Sequence, residues 1–289
     1  MLFRSWMFVP GNNERRIEKL KDLNADVVIY DLEDAVSLNE KEKAREMVRY
    51  ALNQYENRIS FVRVNDLLSP FFADDLKAVV TEGLYGIMLP KASKAKDILE
   101  ADTQITELEQ KNGLAAGSIE IVPLIENAQG VYLAYDIAIS SDRVRRLAFG
   151  SVDYTLDIHA ELSKEGTEIL FARSQLVVHS KAAGKESPVD AVYIHIKDQD
   201  GLLRDAKLAK QLGFQGKLVV HPDQIAVVNG VFSPSQEEIV EAQAIVTAFD
   251  EALRSGMAAI QVGGKMIDYP VAARARKILE KAKQLGNIS

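Results

Sequence analysis

The sequence contains no cysteine, which excludes disulfide bonds, thiolate catalysis and metal sites with cysteine ligands. It also lacks an excess of basic residues, since 35 lysines and arginines against 42 aspartates and glutamates give a formal net charge of -7. General nucleic-acid binding favours a basic surface, so this charge argues against that function. An anionic ligand held by a local basic patch remains compatible with it.

Long apolar runs are missing as well. No segment reaches the ~18 apolar residues that a membrane-spanning helix requires. The apolar run nearest the N-terminus, residues 6–10, is far too short for the core of a signal peptide. Together with the absence of cysteine, these features predict a cytoplasmic globular protein that binds neither membrane nor nucleic acid.

Short apolar runs alternate with helical patterns along the chain. Most runs are nearly continuous, as expected of parallel strands that are buried on both faces. The segments between them carry apolar residues at helical spacing, for example Ala44, Met47, Val48 and Ala51. Eight strands are therefore predicted, at residues 5–10, 27–33, 59–65, 86–91, 119–126, 144–153, 191–196 and 216–221.

Eight strand–helix repeats in 289 residues predict a closed (β/α)₈ TIM barrel. An open doubly wound sheet is the alternative, because alternation alone does not prove closure. Barrels of this size often form a single domain. We assign residues 1–232 to the barrel.

The pattern changes over residues 233–289. Ser235 and Glu238 have the spacing of a capping box at the start of a helix. Two short runs around residues 263–264, both glycine, predict a tight hairpin, and Pro270 opens a last amphipathic helix. This helix–hairpin–helix segment is too small for an independent core, so we expect it to pack on another surface.

The carboxyl ends of barrel strands are where catalytic residues lie in this fold. The fifth predicted strand ends at Glu126 and the sixth at Asp153, so the two carboxylates should meet at one mouth. Neighbouring carboxylates repel unless they are protonated or bridged by a cation. Two carboxylates with open positions suit Mg²⁺, and a pair of solvated acids is the alternative.

Basic residues are predicted at the same mouth. Arg63 fits bidentate recognition of a carboxylate or support of a developing oxyanion. A salt bridge to the acids of residues 31–34 is the alternative, and both roles are compatible. Lys91 is interpreted as a positioning charge at most. The turn at residues 11–13, before a helix with Arg15, Arg16 and Lys19, is a weak phosphate-binding signal.

Motifs along nearly the whole chain resemble the citrate lyase β-subunit-like (CitE-like) branch of the HpcH/HpaI aldolase superfamily, whose relatives include malyl-CoA and citramalyl-CoA lyases. The motifs are RSWMFVPG (4–11), DLEDAV (31–36), RVN (63–65), LPK (89–91), Glu126, GSVDY (150–154), HPDQI (221–225) and GKMID (264–268).

The resemblance implies Mg²⁺ held by Glu126 and Asp153, with Arg63 and Glu126 contacting the substrate. It also implies a homotrimer or hexamer in which the C-terminal segment covers a neighbour's active site, with Asp268 as a catalytic acid/base supplied in trans. The residues alone suggest only a helix N-cap for Asp268. The implied coenzyme A positions are Phe8, Asn13, Lys19, Pro222 and Ile225.

The implied activity is that of a Mg²⁺-dependent lyase that cleaves or forms a 3-hydroxyacyl-CoA thioester of malyl-CoA or citramalyl-CoA type. The products of cleavage are acetyl-CoA and a 2-oxo acid. The alternatives are a citrate lyase β-subunit that acts on citryl-acyl-carrier protein, a malyl-CoA-type thioesterase, and a barrel that only binds acyl-CoA. His221-Pro222, in place of the Asn-Pro expected of citrate lyase β-subunits, favours a CoA thioester.

Overall fold

Eight parallel strands close into a barrel in a computed structural model that describes residues 2–55 and 57–288. Successive strands pair in chain order, and the first strand also pairs with the eighth, with Trp6 opposite Leu218. The prediction of a closed (β/α)₈ barrel is therefore confirmed. The strands are β1 Ser5–Pro10, β2 Val27–Asp31, β3 Ser60–Arg63, β4 Gly86–Leu89, β5 Glu120–Ile125, β6 Ala148–Phe149, β7 Val189–Asp190 and β8 Gly216–Val219.

The helices follow the strands, as the periodicity predicts. They are α1 Glu14–Glu18, α2 Lys41–Gln54, α3 Phe72–Val79, α4 Ala95–Asn112, α5 Ala128–Tyr132, α6 Ala134–Ile139, α7 Ser151–Asp157, α8 Leu170–Ala182, α9 Gln199–Leu212 and α10 Asp223–Phe232.

Apolar side chains fill the barrel interior below the strand ends. Trp6, Ile29, Phe61, Val122 and Leu124 belong to one buried cluster, and the Trp6 and Phe61 rings lie 4.9 Å apart. Such filling is typical of a TIM barrel, whose interior is a packed core rather than a pore. The packed interior leaves the carboxyl ends of the strands as the place for a cavity.

Several strands end one or two residues before the predicted position, and two predicted strands differ more. The run at residues 191–196 is not a strand, because the hydrogen bonding of β7 ends at Asp190 and Ile194 and Ile196 are 46% and 41% exposed. An apolar residue of this run, Val192, instead lines a cavity at the mouth of the barrel. The strand predicted at 144–153 is also too long, since only Ala148–Phe149 forms a strand, with both residues paired to β5 and Ala148 paired to β7.

The chain divides into two compact units, Phe3–Val228 and, for the most part, Asn229–Ser289. The second unit contains α11 Gln236–Arg254, the antiparallel strands β9 Ile260–Val262 and β10 Lys265–Ile267, and α12 Tyr269–Gln284. The helix–hairpin–helix prediction is thus confirmed, including the Ser235–Glu238 capping box. No helix within the described residues combines the length and apolarity that crossing a membrane requires.

Candidate active site

A cavity of about 350 Å³ lies at the carboxyl ends of the barrel strands. Asp31 is the last residue of β2, Arg63 is the last residue of β3, and Glu126 directly follows β5. All three line the cavity together with Asp153. Asp153 does not end a strand, as the sequence suggested, but lies in the first turn of α7. The structure therefore brings the two predicted carboxylates and the predicted arginine to one place.

Glu126 is buried, with 4% of its surface exposed. Its Oε1 accepts a hydrogen bond of 2.7 Å from the backbone N–H of Lys91. Burial, followed by the charge of Glu33, raises the pKa of Glu126 to about 8, and Asp153 adds to the shift. The Lys91 N–H and Arg63 oppose it. An additional positive charge beside Glu126 would favour its ionised form.

Gly150 allows the β6–α7 loop to approach Glu126 closely. A Cβ atom at Gly150 would lie 2.6 Å from Glu126 Oε2 and 2.7 Å from Glu126 Cβ, distances that real side chains do not tolerate. The same loop leads into the helix of Asp153. Glycine is therefore the residue that permits the two acid-bearing segments to sit together.

Arg63 is held by the acidic loop after β2. Its Nε and Nη2 donate to the two oxygens of Asp31 at 2.8 and 2.6 Å. Its Nη1 lies 3.1 Å from Glu33 Oε2 and 3.3 Å from Asp34 Oδ2. Burial alone would lower the pKa of Arg63, but Asp31 and the other acids outweigh it and raise the pKa. The salt-bridge alternative for Arg63 is thus present in the structure.

Lys41 and Asn65 form hydrogen bonds to the backbone of the acidic loop (residues 31–34). The Lys41 ammonium is buried and donates to the carbonyl oxygens of Leu32 and Glu33 at 2.6 and 2.7 Å and to Asn65 Oδ1 at 2.7 Å. Asn65 in turn donates to Leu32 O and to Asp75 Oδ2. This network explains the asparagine of the RVN motif as a support for the loop that holds Arg63.

The charges lining the cavity fit a bound cation. Four carboxylates (Asp31, Asp34, Glu126, Asp153) face two guanidinium groups (Arg16, Arg63). No group of three or more His, Asp or Glu side chains is arranged to hold a metal within residues 2–55 and 57–288. Two carboxylates with further positions left to water and substrate match the coordination habit of Mg²⁺. The donor set therefore fits this ion.

The predicted coenzyme A positions lie beside the seam where β1 meets β8. Phe8 lines the cavity, and its ring stacks 5.0 Å from the Arg63 guanidinium carbon. Asn13 caps α1, and Lys19 directly follows that helix. Pro222 is exposed, whereas Ile225 is only 5% exposed.

Asp268 lies in the second compact unit. It is the N-cap of α12, where its Oδ1 accepts a hydrogen bond from the N–H of Val271 at 3.2 Å. The interpretation of this residue as an N-cap before Pro270 is therefore confirmed. Its catalytic role stays a prediction.

Sequence reasoning missed two features of the site. Lys91 has a left-handed backbone, with a φ of 54°, and nothing in its residue type signals this. The close approach of Gly150 to Glu126 depends on tertiary packing, although a glycine directly before an acid-bearing helix was a usable hint.

A closed barrel with paired carboxylates and an arginine at the carboxyl ends of its strands is the arrangement of a TIM-barrel enzyme. Comparison with known families agrees. The model of the HpcH/HpaI aldolase/citrate lyase family matches residues 4–222, and that of carbon–carbon bond lyases of the TIM-barrel fold matches residues 171–287. The chain belongs to the HpcH/HpaI aldolase/citrate lyase family, which confirms the resemblance. The prediction of a carbon–carbon lyase is confirmed as well.

Individual relatives cover almost the whole chain. Citrate lyase subunit beta of Haemophilus influenzae is 40% identical over 284 residues, covering 98% of this chain and 97% of the relative. Mitochondrial citramalyl-CoA lyase of Rattus norvegicus is 32% identical over 297 residues, covering 98% and 86%. The structure of CitE from Mycobacterium tuberculosis, in complex with magnesium, acetoacetate and coenzyme A, is 29% identical with a TM-score of 0.79, covering 98% of each chain.

Proposed function

We propose that the protein cleaves a 3-hydroxyacyl-CoA thioester of malyl-CoA or citramalyl-CoA type into acetyl-CoA and a 2-oxo acid, with Mg²⁺ as cofactor. The observation that carries the proposal is the convergence of Glu126, Asp153 and Arg63 on one cavity. The complex of the CitE relative with magnesium and coenzyme A supports the choice of cofactor and substrate class.

Glu126 and Asp153 are the residues that would hold Mg²⁺. When bound there, the ion would supply positive charge that attracts an anionic 2-oxo acid and polarises its carbonyl group. The two carboxylates alone would repel an anionic substrate. Their first role would therefore be to hold a cation, whose positive charge makes the site attractive to a 2-oxo acid.

Arg63 is placed to stabilise negative charge that develops on a substrate oxygen. Asp31 occupies its Nε and Nη2 and so fixes the plane of the guanidinium group. Its Nη1 lies between the buried Glu33 Oε2, at 3.1 Å, and Asp34 Oδ2, at 3.3 Å, and the Asp34 side chain is 63% exposed. A substrate oxygen that replaces Asp34 at Nη1 would meet an arginine already oriented by Asp31.

The bond changes of the cleavage are those of a retro-aldol reaction. The hydroxyl group at the β carbon gives its proton to solvent water and becomes the carbonyl of the 2-oxo acid, and the electrons of the α–β carbon bond pass to the thioester as an enolate. Asp268 then delivers a proton to the α carbon, giving the acetyl thioester. In the condensation direction the same carboxylate removes that proton.

A second candidate differs in the carrier of the thioester. The 40% identity to citrate lyase subunit beta favours a subunit that acts on citryl-acyl-carrier protein and gives oxaloacetate and acetyl-acyl-carrier protein. The identity to citramalyl-CoA lyase and the His221-Pro222 pair favour coenzyme A.

The test is to incubate the purified protein and Mg²⁺ separately with malyl-CoA, citramalyl-CoA, citryl-CoA and citryl-acyl-carrier protein, and to identify the products. Acetyl-CoA with a 2-oxo acid is the expected outcome, and Glu126→Gln is the inactive control. Turnover of the carrier-protein thioester alone would replace the proposal with the second candidate. Free CoA together with an intact hydroxy acid would identify a thioesterase.

A further inference from the structure

Lys91 adopts a backbone conformation that residues with a Cβ rarely hold. It follows β4 and Pro90, and its φ of 54° lies in the left-handed region. Apart from glycines, His159 is the one other described residue with a positive φ. A lysine held in this way beside a cavity calls for a physical reason.

The backbone of Lys91 connects the loops that follow β4 and β5. Its N–H donates to Glu126 Oε1 at 2.7 Å, and its carbonyl oxygen accepts from Ser93 Oγ at 2.9 Å. Asn127 Nδ2 donates to the same Ser93 Oγ at 2.9 Å. The loop after β4 therefore contacts the loop after β5 twice, through Glu126 and, by way of Ser93, through the adjacent Asn127.

The side chain of Lys91 acts on a second acid. Its Nζ lies 2.9 Å from Glu33 Oε1, and Glu33 is only 6% exposed. Glu33 is close enough to Glu126 for their negative charges to repel. The Lys91 ammonium group, paired with Glu33, therefore reduces the repulsion between Glu33 and Glu126 without contacting Glu126.

We propose that Lys91 is a positioning residue for Glu126, acting through its left-handed backbone amide and, separately, through its ammonium group on Glu33. This inference rests on the proposed function, because the group that Lys91 positions is the proposed Mg²⁺ ligand. Charge-assisted hydrogen bonds of this kind fix a carboxylate more firmly than bonds between neutral groups.

Substitutions at Lys91 separate the two actions. Lys91→Gly keeps the N–H and readily adopts the backbone conformation, but removes the ammonium group. Lys91→Val removes the ammonium group and disfavours the left-handed conformation. Lys91→Arg keeps both. His159→Gly is the matched control, because it relieves the other positive φ outside the cavity.

The experiment is calorimetric titration of each purified protein with Mg²⁺ alone, accompanied by kcat and KM for the substrate that turnover assays identify. Lys91→Arg and His159→Gly should bind Mg²⁺ within about 3-fold of the unchanged protein. Lys91→Gly leaves Glu33 without its ammonium partner and the cavity more negative, so it should bind Mg²⁺ about 3- to 10-fold more tightly than the unchanged protein. Lys91→Val should bind Mg²⁺ about 10-fold more weakly than Lys91→Gly, because the amide no longer orients Glu126, and in both variants the loss in kcat should exceed the change in KM.

Glu33→Gln completes the test. If the ammonium group acts by neutralising Glu33, Lys91→Gly combined with Glu33→Gln should bind Mg²⁺ within about 3-fold of Glu33→Gln alone. This pair also decides the matter should Lys91→Val fail to fold. Unchanged Mg²⁺ affinity in Lys91→Gly and Lys91→Val, with binding lost in Glu126→Gln, would overturn the inference and leave the proposed function intact. Absence of Mg²⁺ binding by the unchanged protein would overturn both.

Discussion

At the scale of single residues, the burial of negative charge determines the pKa values of the carboxylates in the site. Glu126 and Glu33 are both nearly inaccessible, and burial is the first cause that raises the pKa of each. Arg63 and Lys91 offset part of that charge. An added cation would therefore reduce the repulsion between these buried carboxylates. This repulsion should affect stability as well as activity.

Glu126 predicts a specific pH dependence of stability in the metal-free protein. Its folded-state pKa is raised from 4.5 to about 8, so between these values the folded state keeps a proton that the unfolded state has lost. The free energy of unfolding should therefore fall with rising pH across this window, by on the order of 4 kcal/mol. Urea unfolding of the unchanged protein and of Glu126→Gln in the presence of a chelator measures the difference. Parallel pH profiles would contradict the prediction.

Replacement of Gly150 should reduce catalysis and, by overpacking the space beside the buried Glu126, should also lower the free energy of unfolding by about 1–3 kcal/mol. In Gly150→Ala the new methyl group meets Glu126 and must displace its carboxylate, and a misplacement of about 1 Å can reduce activity by about 100-fold. Gly230→Ala is the control, because no atom lies within 4 Å of its added Cβ. Comparison of kcat/KM and of thermal unfolding for the two variants checks this. Equal activity would show that Glu126 tolerates the displacement.

At the scale of elements, the loop between β2 and α2 depends on buried polar contacts. Asp31 shapes the loop by accepting N–H groups of Glu33 and Ala35 at 3.0 and 3.2 Å. Lys41, at the start of α2, bonds two of its carbonyl oxygens from the buried side. The loop that orients Arg63 is therefore fixed by ion and amide groups rather than by apolar packing.

Removing the Lys41 ammonium group should destabilise this loop. Lys41→Met leaves the Glu33 carbonyl oxygen and Asn65 Oδ1 without this donor and the Leu32 carbonyl oxygen with Asn65 alone, which should lower the free energy of unfolding by about 2–4 kcal/mol. Lys43→Met, on the exposed side of the same helix, should change it by less than about 0.5 kcal/mol. The urea midpoints of the two variants give the comparison, and similar midpoints would be evidence against the support role.

The sequence predicts the existence and order of these elements better than their ends. Apolar runs identify buried strands, but the hydrogen bonding that ends β6 and β7 depends on neighbouring strands, so residues 191–196 were wrongly assigned. The acids and the arginine of the site could be found because strand ends share one mouth. The Lys91 amide and the Gly150 contact could not, because they arise only when distant loops pack together.

At the scale of the whole molecule, the proposed site residues belong to different compact units. Glu126 lies in Phe3–Val228, and Asp268 lies in the unit that contains α11 and α12. The proposal that Asp268 serves a neighbouring subunit of a trimer makes these residues separable by mixing.

Glu126→Ala and Asp268→Ala should each be inactive alone and should recover activity when mixed, because some sites would combine an intact Glu126 with an intact Asp268 from another subunit. Random exchange limits recovery to a fraction of the unchanged protein's activity. Activity assays before and after subunit exchange, with exchange verified by mass spectrometry of differently tagged chains, give the measurement. Lack of recovery after verified exchange would assign Asp268 to its own subunit.

The proposed metal site also bears on how cofactor and substrate depend on each other. If Glu126 and Asp153 hold Mg²⁺ as proposed, the remaining positions of the ion are open to water and substrate. Thermodynamic reciprocity then requires that a 2-oxo acid strengthen Mg²⁺ binding by the same factor by which Mg²⁺ strengthens binding of the acid. Occupancy of the ion would thus follow the supply of substrate, and the enzyme would be a sensor of both concentrations at once.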